Sequence, residues 1–555
     1  MSETLSRVAI DADPVTTEVI KSSLIYASEE MGIAVRNAAY SPNIKERLDH
    51  SCAIFDGAGR LIAQAEHIPV HLGSLPWGLR RTLETLAERG REMMPGEMWV
   101  LNDPYVSGTH LNDVTVIRPI FLSDGGEAIL IGYAASKAHH TDVGGSVPGS
   151  ISPTAPELFA EGLIIAPIRL MIDDCVNEDV VALIRGNSRT PEARSGDLKA
   201  QVAGNVTGER RVLELVARYG LETFVAAIER ILDESERRMR SMLCTFGERE
   251  VAVEDVLEPP DGGALLHLRA CVRTSDGTIE VDFSGTSLQV PFPVNAVLGV
   301  TLSGIHYVIR AATDPTIPMN DGCFRPVSIS VPEGTLLNPR RPAPVGAGNV
   351  ETAQRICDVM LRAFERLSPE KMPALSSGTM GNIGMGGATS DGTPWAFYET
   401  IGGGMGARPN ADGIDGIHTH MTNTLNTPIE AMERYFPIRM TRYEFAPGTA
   451  GDGAFRGGCG LFRSFQLLEG RAQASLLAER HRVAPSGAQG GRDGTPGRHL
   501  LRSADGEERV IPAKVTIDLQ PGDEIVVQTP GGGGYGDPAR RDPAARERDR
   551  LNGLL

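Results

Sequence analysis

Two short clusters of histidine and aspartate in this sequence could bind a metal ion. The segment GTHLNDVTVIRPIF places His110 and Asp113 three positions apart, just before a run that is typical of a β-strand. The segment SKAHHTDVGG holds His139, His140 and Asp142 after a second strand-like run. Imidazole and carboxylate groups are common ligands of divalent metals. Each cluster alone is more typical of an ordinary loop than of a metal site, so the case for a metal depends on whether the sequence between the clusters brings them together.

The two strand-like runs, DVTVIRPIF and AILIGYAAS, are joined by the turn-rich segment LSDGGE. Neighbouring strands with such a connection form an antiparallel hairpin. Pairing Phe121 with Ala128 sets a register for this hairpin. In that register Asp113 lies opposite Ser136, at the open end of the two strands.

The same register places His110 opposite His139. Directly opposed residues have Cβ atoms about 4.5–5.5 Å apart, and a divalent ion with ligand bonds of about 2.0–2.2 Å can bridge that gap. The sequence therefore predicts one metal site that contains His110, Asp113 and a histidine of the second cluster. A single β-bulge would exchange His139 for His140, so the choice between them stays open.

Other polar residues could join this site. Asp49 precedes a strand, where it is either a ligand or a hydrogen-bond acceptor at the strand end. His67 and His71 have the spacing of one helix face, but Pro69 between them argues against a helical ligand pair. We interpret these two histidines as pocket-lining or structural.

Two further motifs carry weaker signals. His418 and His420, in GIHTHMTNTLNTPIE, are either a second polar wall of the cavity or a loop pair with its own partners. The glycine runs at 402–404 and 531–534 lack the GK[ST] and GxGxxG patterns of nucleotide loops. These runs favour close backbone packing or flexible turns. No G-x-S-x-G motif indicates a serine nucleophile.

Composition narrows the class of protein. The formal net charge of −17 argues against nucleic acid as the main partner. No apolar run approaches the roughly 20 residues of a membrane-spanning helix, and the first residues do not resemble a secretory signal. The seven cysteines are scattered without a CxxC pair, so we expect reduced thiols in a cytoplasmic protein and no disulfide framework.

The spacing of apolar residues predicts the helices and strands that position these candidate ligands. A helix is predicted from about Pro14 to Ala39, with Asp13 as its N-cap. A hairpin follows around Asp56–Gly59. A second helix is predicted behind Pro76, and a long helical region spans about 197–244.

Alternating strands around the turn at Asp276 and Gly277 follow, then helices in VLGVTLSGIHYVIRAAT and NVETAQRICDVMLRAFERL, and short strands with glycine turns after about residue 441. The pattern predicts an α+β fold without internal repeats. We expect a metal-binding region at 1–245, a central α+β region at 246–440 and a β-rich region at 441–555.

The chain resembles the hydantoinase B/oxoprolinase family in several long segments. These segments are ERLDHSCAIFDGAGRLIAQAEHIPVHLGSLPWGL, NDPYVSGTHLNDVTVIRPIF, AHHTDVGGSVPGSI, DLKAQVAGNVTGERRVLELVARYG, DFSGTSLQVPFPVNAV, HTHMTNTLNTPIE and TPGGGGYGDP. The resemblance implies a zinc, manganese or iron ion held by the residues that match Asp49, His110, Asp113 and one histidine of the His139–His140 pair. We expect His139 to be that ligand.

The resemblance also implies a partner. A hydantoinase A-like subunit would bind ATP with magnesium in place of this chain, in an expected heterotetramer. ATP would activate a cyclic amide such as a hydantoin, 5-oxoproline or a lactam, and the metal here would supply water for ring opening. His140 and Asp142 are then candidates to move the proton. The alternatives are a subunit of a ketone carboxylase and a non-catalytic scaffold for the ATPase.

Overall fold

A computed structural model describes residues 13–65 and 67–554 of the chain. Its fold is α+β, as predicted: long helices pack against antiparallel sheets, and the C-terminal part is rich in strands. Within the described residues no helix has both the length and the hydropathy to cross a membrane. All seven cysteines are described, and each is free.

The N-terminal part builds one antiparallel sheet with helices packed on it. Its helices are α1 (Pro14–Ala38), α2 (Pro42–Lys45), α3 (His71–Glu88), α4 (Pro104–Ser107), α5 (Glu178–Gly186), α6 (Pro191–Tyr219) and α7 (Leu221–Cys244). Its strands are β1 (His50–Asp56), β2 (Leu61–Gln64), β3 (Met98–Leu101), β4 (Asp113–Asp124), β5 (Glu127–His139), β6 (Ile168–Ile172) and β7 (Cys175–Val176). They pair in the order β2-β1-β5-β4-β3-β6-β7.

Helix α1 begins and ends almost where its sequence predicts. The Asp13 side chain accepts hydrogen bonds from the backbone N–H groups of Val15 and Thr16, which caps the first turn. Apolar residues at helical spacing, among them Leu24 and Met31, are fully buried. They face α6 and the sheet, so α1 covers the sheet that carries the candidate site.

The hairpin of β4 and β5 is present, but the predicted register is wrong. Phe121 lies opposite Leu130 instead of Ala128, and the register shifts again between Ile120 and Phe121. At the open end Asp113 consequently lies opposite His139.

The cause of the register error is the turn. The strands continue to a two-residue loop, Gly125 and Gly126, with φ of 57° and 94°. A tight hairpin turn requires two residues with positive φ, which glycine adopts without strain. We had assigned the polar residues of LSDGGE to a wider loop, although they extend both strands. Strand length and one bulge together displaced every pair.

Helix α3 begins at His71, so the prediction that it starts behind Pro76 is wrong. Val70 offers no side-chain cap. Instead Ser303, from a distant helix, accepts hydrogen bonds from the backbone N–H groups of Gly73 at 3.0 Å and Ser74 at 2.8 Å. A tertiary contact therefore supplies the cap that the local sequence lacks.

The long helical region is two helices. α6 begins at Pro191, before the predicted start at about residue 197, and Gly220 separates it from α7. Gly220 has a φ of 82°, which is outside the helical range and is readily adopted by glycine.

The rest of the chain builds three further sheets. Its helices are α8 (Leu298–Ala312), α9 (Ala353–Leu367), α10 (Ile429–Tyr435) and α11 (Pro543–Leu551), with a π-helical turn at Gly348–Thr352. Its strands are β8 (Arg249–Leu257), β9 (Leu266–Ser275), β10 (Thr278–Asp282), β11 (Val327–Ser330), β12 (Asn382–Ala388), β13 (Pro394–Thr400), β14 (Ile438–Ala446), β15 (Gly460–Leu467), β16 (Arg471–Leu477), β17 (Arg498–Arg502), β18 (Glu508–Ile511), β19 (Lys514–Leu519) and β20 (Glu524–Gln528). Short 3-10 helices lie at Leu158–Ala160, Asp321–Phe324 and Pro538–Arg540.

The three sheets have the orders β11-β10-β9-β8, β13-β12-β16-β19 and β14-β15-β20-β17-β18. The predicted hairpin at Asp276 and Gly277 and both central helices are confirmed. The second of these sheets takes strands from both sides of residue 440. The division into three regions stays a prediction.

The glycine runs serve close backbone packing, as predicted. A Cβ atom on Gly404 would lie 2.0 Å from the carbonyl oxygen of Gly458, and one on Gly532 would lie 2.1 Å from that of Met405. Gly532 N–H also donates to the Gly458 carbonyl at 2.9 Å. Only glycine fits where backbones approach this closely.

Candidate metal centre

Three side chains converge at the open end of the β4–β5 hairpin. His110 Nε2 lies 3.1 Å from Asp113 Oδ1 and 3.1 Å from His139 Nδ1. His139 Nδ1 lies 3.3 Å from Asp113 Oδ1. Ligand atoms around an ion with bonds of about 2.0–2.2 Å are separated by about 3–3.5 Å. The three side chains are buried, and together they could hold a metal ion.

Their position follows from the hairpin. Asp113 is the first residue of β4 and His139 the last residue of β5, and the two are paired across the ladder. His110 belongs to the turn that precedes β4, where its carbonyl accepts a hydrogen bond from Asp113 N–H at 3.1 Å. The turn folds His110 back over the pair, so the three residues meet in a register that differs from the predicted one.

The hydrogen bonds of His110 fix which of its nitrogens carries a proton. His110 Nδ1 lies 3.0 Å from the carbonyl oxygen of Gly346, which can only accept, so Nδ1 must donate. In the neutral ring Nε2 then carries a lone pair directed at the Asp113 carboxylate. Two acceptors at this distance repel unless a proton or a cation lies between them. The donor set of two imidazoles and a carboxylate fits a divalent ion.

The two oxygens of Asp113 have different surroundings. Oδ2 lies 3.3 Å from His71 Nε2 and accepts from Asn349 Nδ2 at 3.1 Å. His71 Nδ1 is in turn 2.9 Å from Ser51 Oγ. Oδ1 faces the two other histidines. Groups that hydrogen-bond to a ligand in this way fix its orientation toward the metal.

Burial and the neighbouring charges act in opposite directions on the pKa values of these three side chains. Burial disfavours the charged form of His110, but the neighbouring Asp113 carboxylate prevails and raises the pKa of His110. Burial also opposes ionisation of Asp113, yet the adjacent histidines, His110 first, hold its pKa well below the usual range. Burial lowers the pKa of His139. The aspartate is therefore ionised, and His139 is available as a neutral ligand.

The structure brings His139 into this group and directs His140 away from it. Successive side chains of a strand point to opposite faces. His140 Nε2 lies 3.0 Å from Gln201 Oε1, on the side covered by α6. Asp49 lines the same cavity as the group, with Oδ2 4.0 Å from His139 Nδ1. Asp49 is thus adjacent to the three-residue group without being one of its members.

Asp142 has other contacts. Its buried carboxylate accepts hydrogen bonds from the N–H groups of Gly144 and Gly149 and pairs with Arg189 at 3.0 Å. Neither Asp142 nor His140 is among the residues that line the cavity. Their catalytic role stays a prediction, and the contacts of Asp142 are typical of a residue that shapes a loop.

The group lines a small cavity of about 20 Å³. That volume holds one ion or one water molecule. Its other walls are Ile68, Val70, His71, Asn349, Val350, Met380, Tyr398, Thr400, Met421, Thr422 and Thr424. The Tyr398 ring stacks on His139 with ring centroids 4.6 Å apart. Tyr398 also borders a second cavity, of about 280 Å³.

The structure also shows where four other histidines of the sequence analysis lie, and it adds one residue to the cavity that the sequence did not indicate. His71 is pocket-lining, as interpreted, whereas His67 lies 3.3 Å from Glu29. His418 and His420 do not line the cavity, and their Nε2 atoms have no hydrogen-bond partner among the residues described. Asn349 was missed. It lies 236 positions from Asp113 and has no local signal beyond being polar in an apolar helical pattern.

Comparison with known proteins gives a consistent result. The sequence model described as Hydantoinase B/oxoprolinase matches residues 13–538. An uncharacterised protein of Methanocaldococcus jannaschii is 46% identical over 530 residues, which cover 96% of this chain and 92% of that protein. The 5-oxoprolinase of Dictyostelium discoideum is 34% identical over 95% of this chain. The chain spans only 41% of that protein's length.

Two solved structures share the fold. The ATP-dependent caprolactamase of Pseudomonas jessenii matches with a TM-score of 0.90 at 30% identity, covering 98% of this chain and 94% of that chain. A nucleotide-free acetone carboxylase matches with a TM-score of 0.87 at 19% identity, covering 98% of this chain and 78% of that chain. The second likeness is one of fold alone.

Proposed function

The chain belongs to the hydantoinase B/oxoprolinase family, and from this premise we propose that it is the metal-binding subunit of an ATP-dependent cyclic amidohydrolase. Its substrate is a hydantoin, 5-oxoproline or a lactam, whose ring it opens. The observation that carries the proposal is the convergence of His110 Nε2, Asp113 Oδ1 and His139 Nδ1 on one buried cavity.

The proposed reaction divides between two subunits. A hydantoinase A-like partner binds ATP with magnesium and transfers a phosphoryl group to the amide or imide oxygen. This chain then provides the hydrolytic site, in a heterotetramer of two chains each. Support comes from the names and lengths of relatives: the caprolactamase is ATP-dependent, and the 5-oxoprolinase is more than twice as long as this chain.

His110, Asp113 and His139 would hold a divalent ion of zinc, manganese or iron, with Asp49 as a further ligand. When bound, such an ion supplies Lewis acidity, which lowers the pKa of water and polarises a carbonyl. His71 and Asn349 hold Asp113 by its Oδ2 atom, so that Oδ1 stays directed at the histidines. The Gly346 carbonyl keeps a lone pair on His110 Nε2.

The size of the cavity restricts what this chain does with a substrate. About 20 Å³ admits only the reacting atoms, not a whole ring. Met380 and Met421 form part of the wall, and methionine side chains adapt readily to a ligand. We propose that they move when the ring enters and that the buried walls exclude bulk water during ring opening.

The test is reconstitution with the ATPase partner. The complex should open a cyclic amide only with ATP and a divalent ion, and without bicarbonate, as followed by chromatography of the product. His110→Ala and Asp113→Ala should abolish both bound metal, measured by elemental analysis, and ring opening. Turnover that requires bicarbonate would instead indicate a ketone carboxylase. Full activity and metal content in both variants would show that the proposed metal site is wrong.

A further inference from the structure

Asn349 lines the cavity and has one polar atom without a partner. Its Nδ2 donates to Asp113 Oδ2 at 3.1 Å. Its Oδ1 is buried, and no donor among the described residues lies within hydrogen-bond distance. The residue as a whole is 4% exposed. A buried acceptor left unpaired costs about 1–3 kcal/mol, so its position calls for an explanation.

The orientation of this amide is fixed by its neighbour. Asn349 Nδ2 lies 3.1 Å from Asp113 Oδ2, and a carboxylate oxygen is an acceptor of hydrogen bonds. Rotating the Asn349 amide by half a turn would place an oxygen against Asp113 Oδ2 and leave two acceptors in contact. Nδ2 must therefore face Asp113, and Oδ1 is the free acceptor.

The backbone holds Asn349 firmly in place. It belongs to the π-helical turn Gly348–Thr352, a rare geometry that is frequent at functional sites. A Cβ atom on the preceding Gly348 would lie 1.9 Å from the Asn295 carbonyl oxygen, so the turn packs directly on neighbouring backbone.

Other cavity residues do not offer the same chemistry. Both ring nitrogens of His71 have partners, Ser51 and Asp113. His110 donates through Nδ1 to Gly346 and directs Nε2 at the metal position. Among the described cavity residues, Asn349 therefore presents a neutral oxygen acceptor next to the proposed ligands and with no protein donor.

We propose that Asn349 Oδ1 accepts a hydrogen bond from the N–H group of the scissile ring nitrogen. Transfer of the phosphoryl group to the amide oxygen gives an imidate, and this N–H group is kept when the imidate nitrogen stays protonated. This inference rests on the proposed function and extends it to the class of substrate. The site selects amides whose scissile nitrogen carries a hydrogen, because a methyl group there would remove the donor and bring carbon against a buried oxygen. A site that is built to hydrogen-bond a substrate group strongly rejects an analogue that lacks this group, because the polar atom of the site is then left without a partner.

The experiment compares matched substrates in the reconstituted complex. The cyclic amide that the wild-type complex opens best is paired with the analogue methylated on the scissile ring nitrogen. Affinities are measured by calorimetry on the complex, and kcat/KM by product formation. The wild type should prefer the N–H compound by about 10- to 100-fold, the value of one buried hydrogen bond of about 1.4–2.7 kcal/mol.

Variants separate recognition from ligand positioning. Asn349→Leu removes the acceptor, and the preference should fall to within about 3-fold of unity. Asn349→Gln keeps both an amide donor for Asp113 and an acceptor oxygen, and it should recover part of the preference that Asn349→Leu loses. His71→Leu removes another contact of Asp113 but leaves the Asn349 acceptor in place. It should therefore lower kcat/KM for the N–H compound and for its methylated analogue by the same factor, so that the preference is preserved.

The outcomes are distinct. An unchanged preference in Asn349→Leu, or equal binding of both compounds by the wild type, overturns the role of Asn349 while leaving ring opening intact. Absence of ring opening with every cyclic amide overturns the proposed function, and the inference falls with it. If Asn349→Leu does not fold, Asn349→Ala takes its place, and an unchanged preference in Asn349→Ala overturns the inference.

Discussion

This protein contains two buried polar clusters of opposite character. The metal-site cluster consists of His71, His110, Asp113, His139 and Asn349. The paired cluster consists of Asp255, Arg355, Asp358, Glu479, Arg480 and Lys514. The paired cluster has three positive and three negative groups, each with an opposite charge within 4 Å. In the metal-site cluster, one nitrogen from each of two imidazoles and one carboxylate oxygen lie 3.1–3.3 Å from one another.

The comparison indicates that buried polar groups can have different roles. We expect those of the paired cluster to stabilise the fold and those of the metal-site cluster to bind a ligand. In the paired cluster the charges compensate one another, with Arg480 2.7 Å from Asp358 and Lys514 2.5 Å from Glu479. Three of its side-chain atoms, Arg355 Nε, Asp358 Oδ1 and Arg480 Nε, nevertheless have no hydrogen-bond partner among the described residues. The metal-site cluster has an excess of acceptors, and two of its atoms, Asn349 Oδ1 and His139 Nε2, have no partner among the described residues. The metal-site cluster differs in that its imidazole and carboxylate groups are of the kind that could hold a metal ion, which is the ligand that we propose for it.

The largest loss of stability should come from breaking the paired cluster. Arg355→Met leaves Asp358 without one of its two arginines and weakens the environment of Asp255 and Glu479. Removing one partner of a buried ion pair costs about 3–5 kcal/mol. The urea concentration at half-unfolding should fall accordingly. As a control, Arg550→Met removes the exposed pair with Glu547 and should cost less than about 1 kcal/mol. Equal effects would contradict the comparison.

Removing a proposed ligand should affect binding far more than folding. His110→Ala and His139→Ala each delete one of three converging donor atoms. The affinity for Zn²⁺ or Mn²⁺, measured by competition with a chelating dye, should fall by more than the 10- to 100-fold typical of groups that merely support a ligand. The metal-free variants should be much more stable than Arg355→Met. Retained affinity in both variants would refute the metal site.

A supporting group should have an intermediate effect on the same affinity. His71→Leu removes a donor to Asp113 Oδ2 and should weaken metal binding about 10- to 100-fold. His71→Gln, which keeps a donor near the position of Nε2, should recover part of the loss. No recovery would show that the effect of leucine arises from packing.

We expect a change at Asp142 to lower the stability of the protein without changing its metal binding or its catalysis. Asp142→Asn weakens its bonds to Arg189 and to the 142–150 loop and should cost about 1–3 kcal/mol in stability. Because Asp142 does not line the cavity, metal affinity and the pH profile of kcat should stay as in the wild type. A displaced pH profile would restore Asp142 as a proton-transfer residue.

A further effect should appear in how the stability changes with pH. Burial raises the pKa of Glu161 to about 8, although the N–H groups of Val345 and Gly346 act in the opposite direction. The folded state therefore holds this proton more tightly than the unfolded state does, and stability falls as the pH rises from the ordinary carboxyl pKa to about 8.

Glu161→Gln removes that titration. Melting temperatures measured from pH 5 to 9 should decline less in the variant than in the wild type, with the largest difference above pH 8. Parallel curves would mean that Glu161 titrates near its ordinary pKa. Glu161 is linked to the candidate metal centre through Gly346. The Gly346 N–H group donates to Glu161, and the Gly346 carbonyl accepts from His110.

The sequence predicted the α+β fold, helix α1, the β4–β5 hairpin and the glycine packing because each has a strong local pattern. The N-cap at Asp13 and the glycine pair at 125–126 are such signals. The register of the hairpin was wrong because a bulge near Phe121 and the true strand length leave little trace in composition. The start of α3 was wrong because its cap, Ser303, comes from a distant helix.

The sequence by itself determined which residue types could form a metal site and that His110, Asp113 and a histidine near 139 would meet, since a hairpin joins them over a short distance. Only the tertiary structure decided the rest. Strand alternation directed His139 inward and His140 toward Gln201. Long-range packing brought Asn349 to Asp113 across 236 positions. Contacts over such separations depend on how whole elements pack, which no local periodicity encodes.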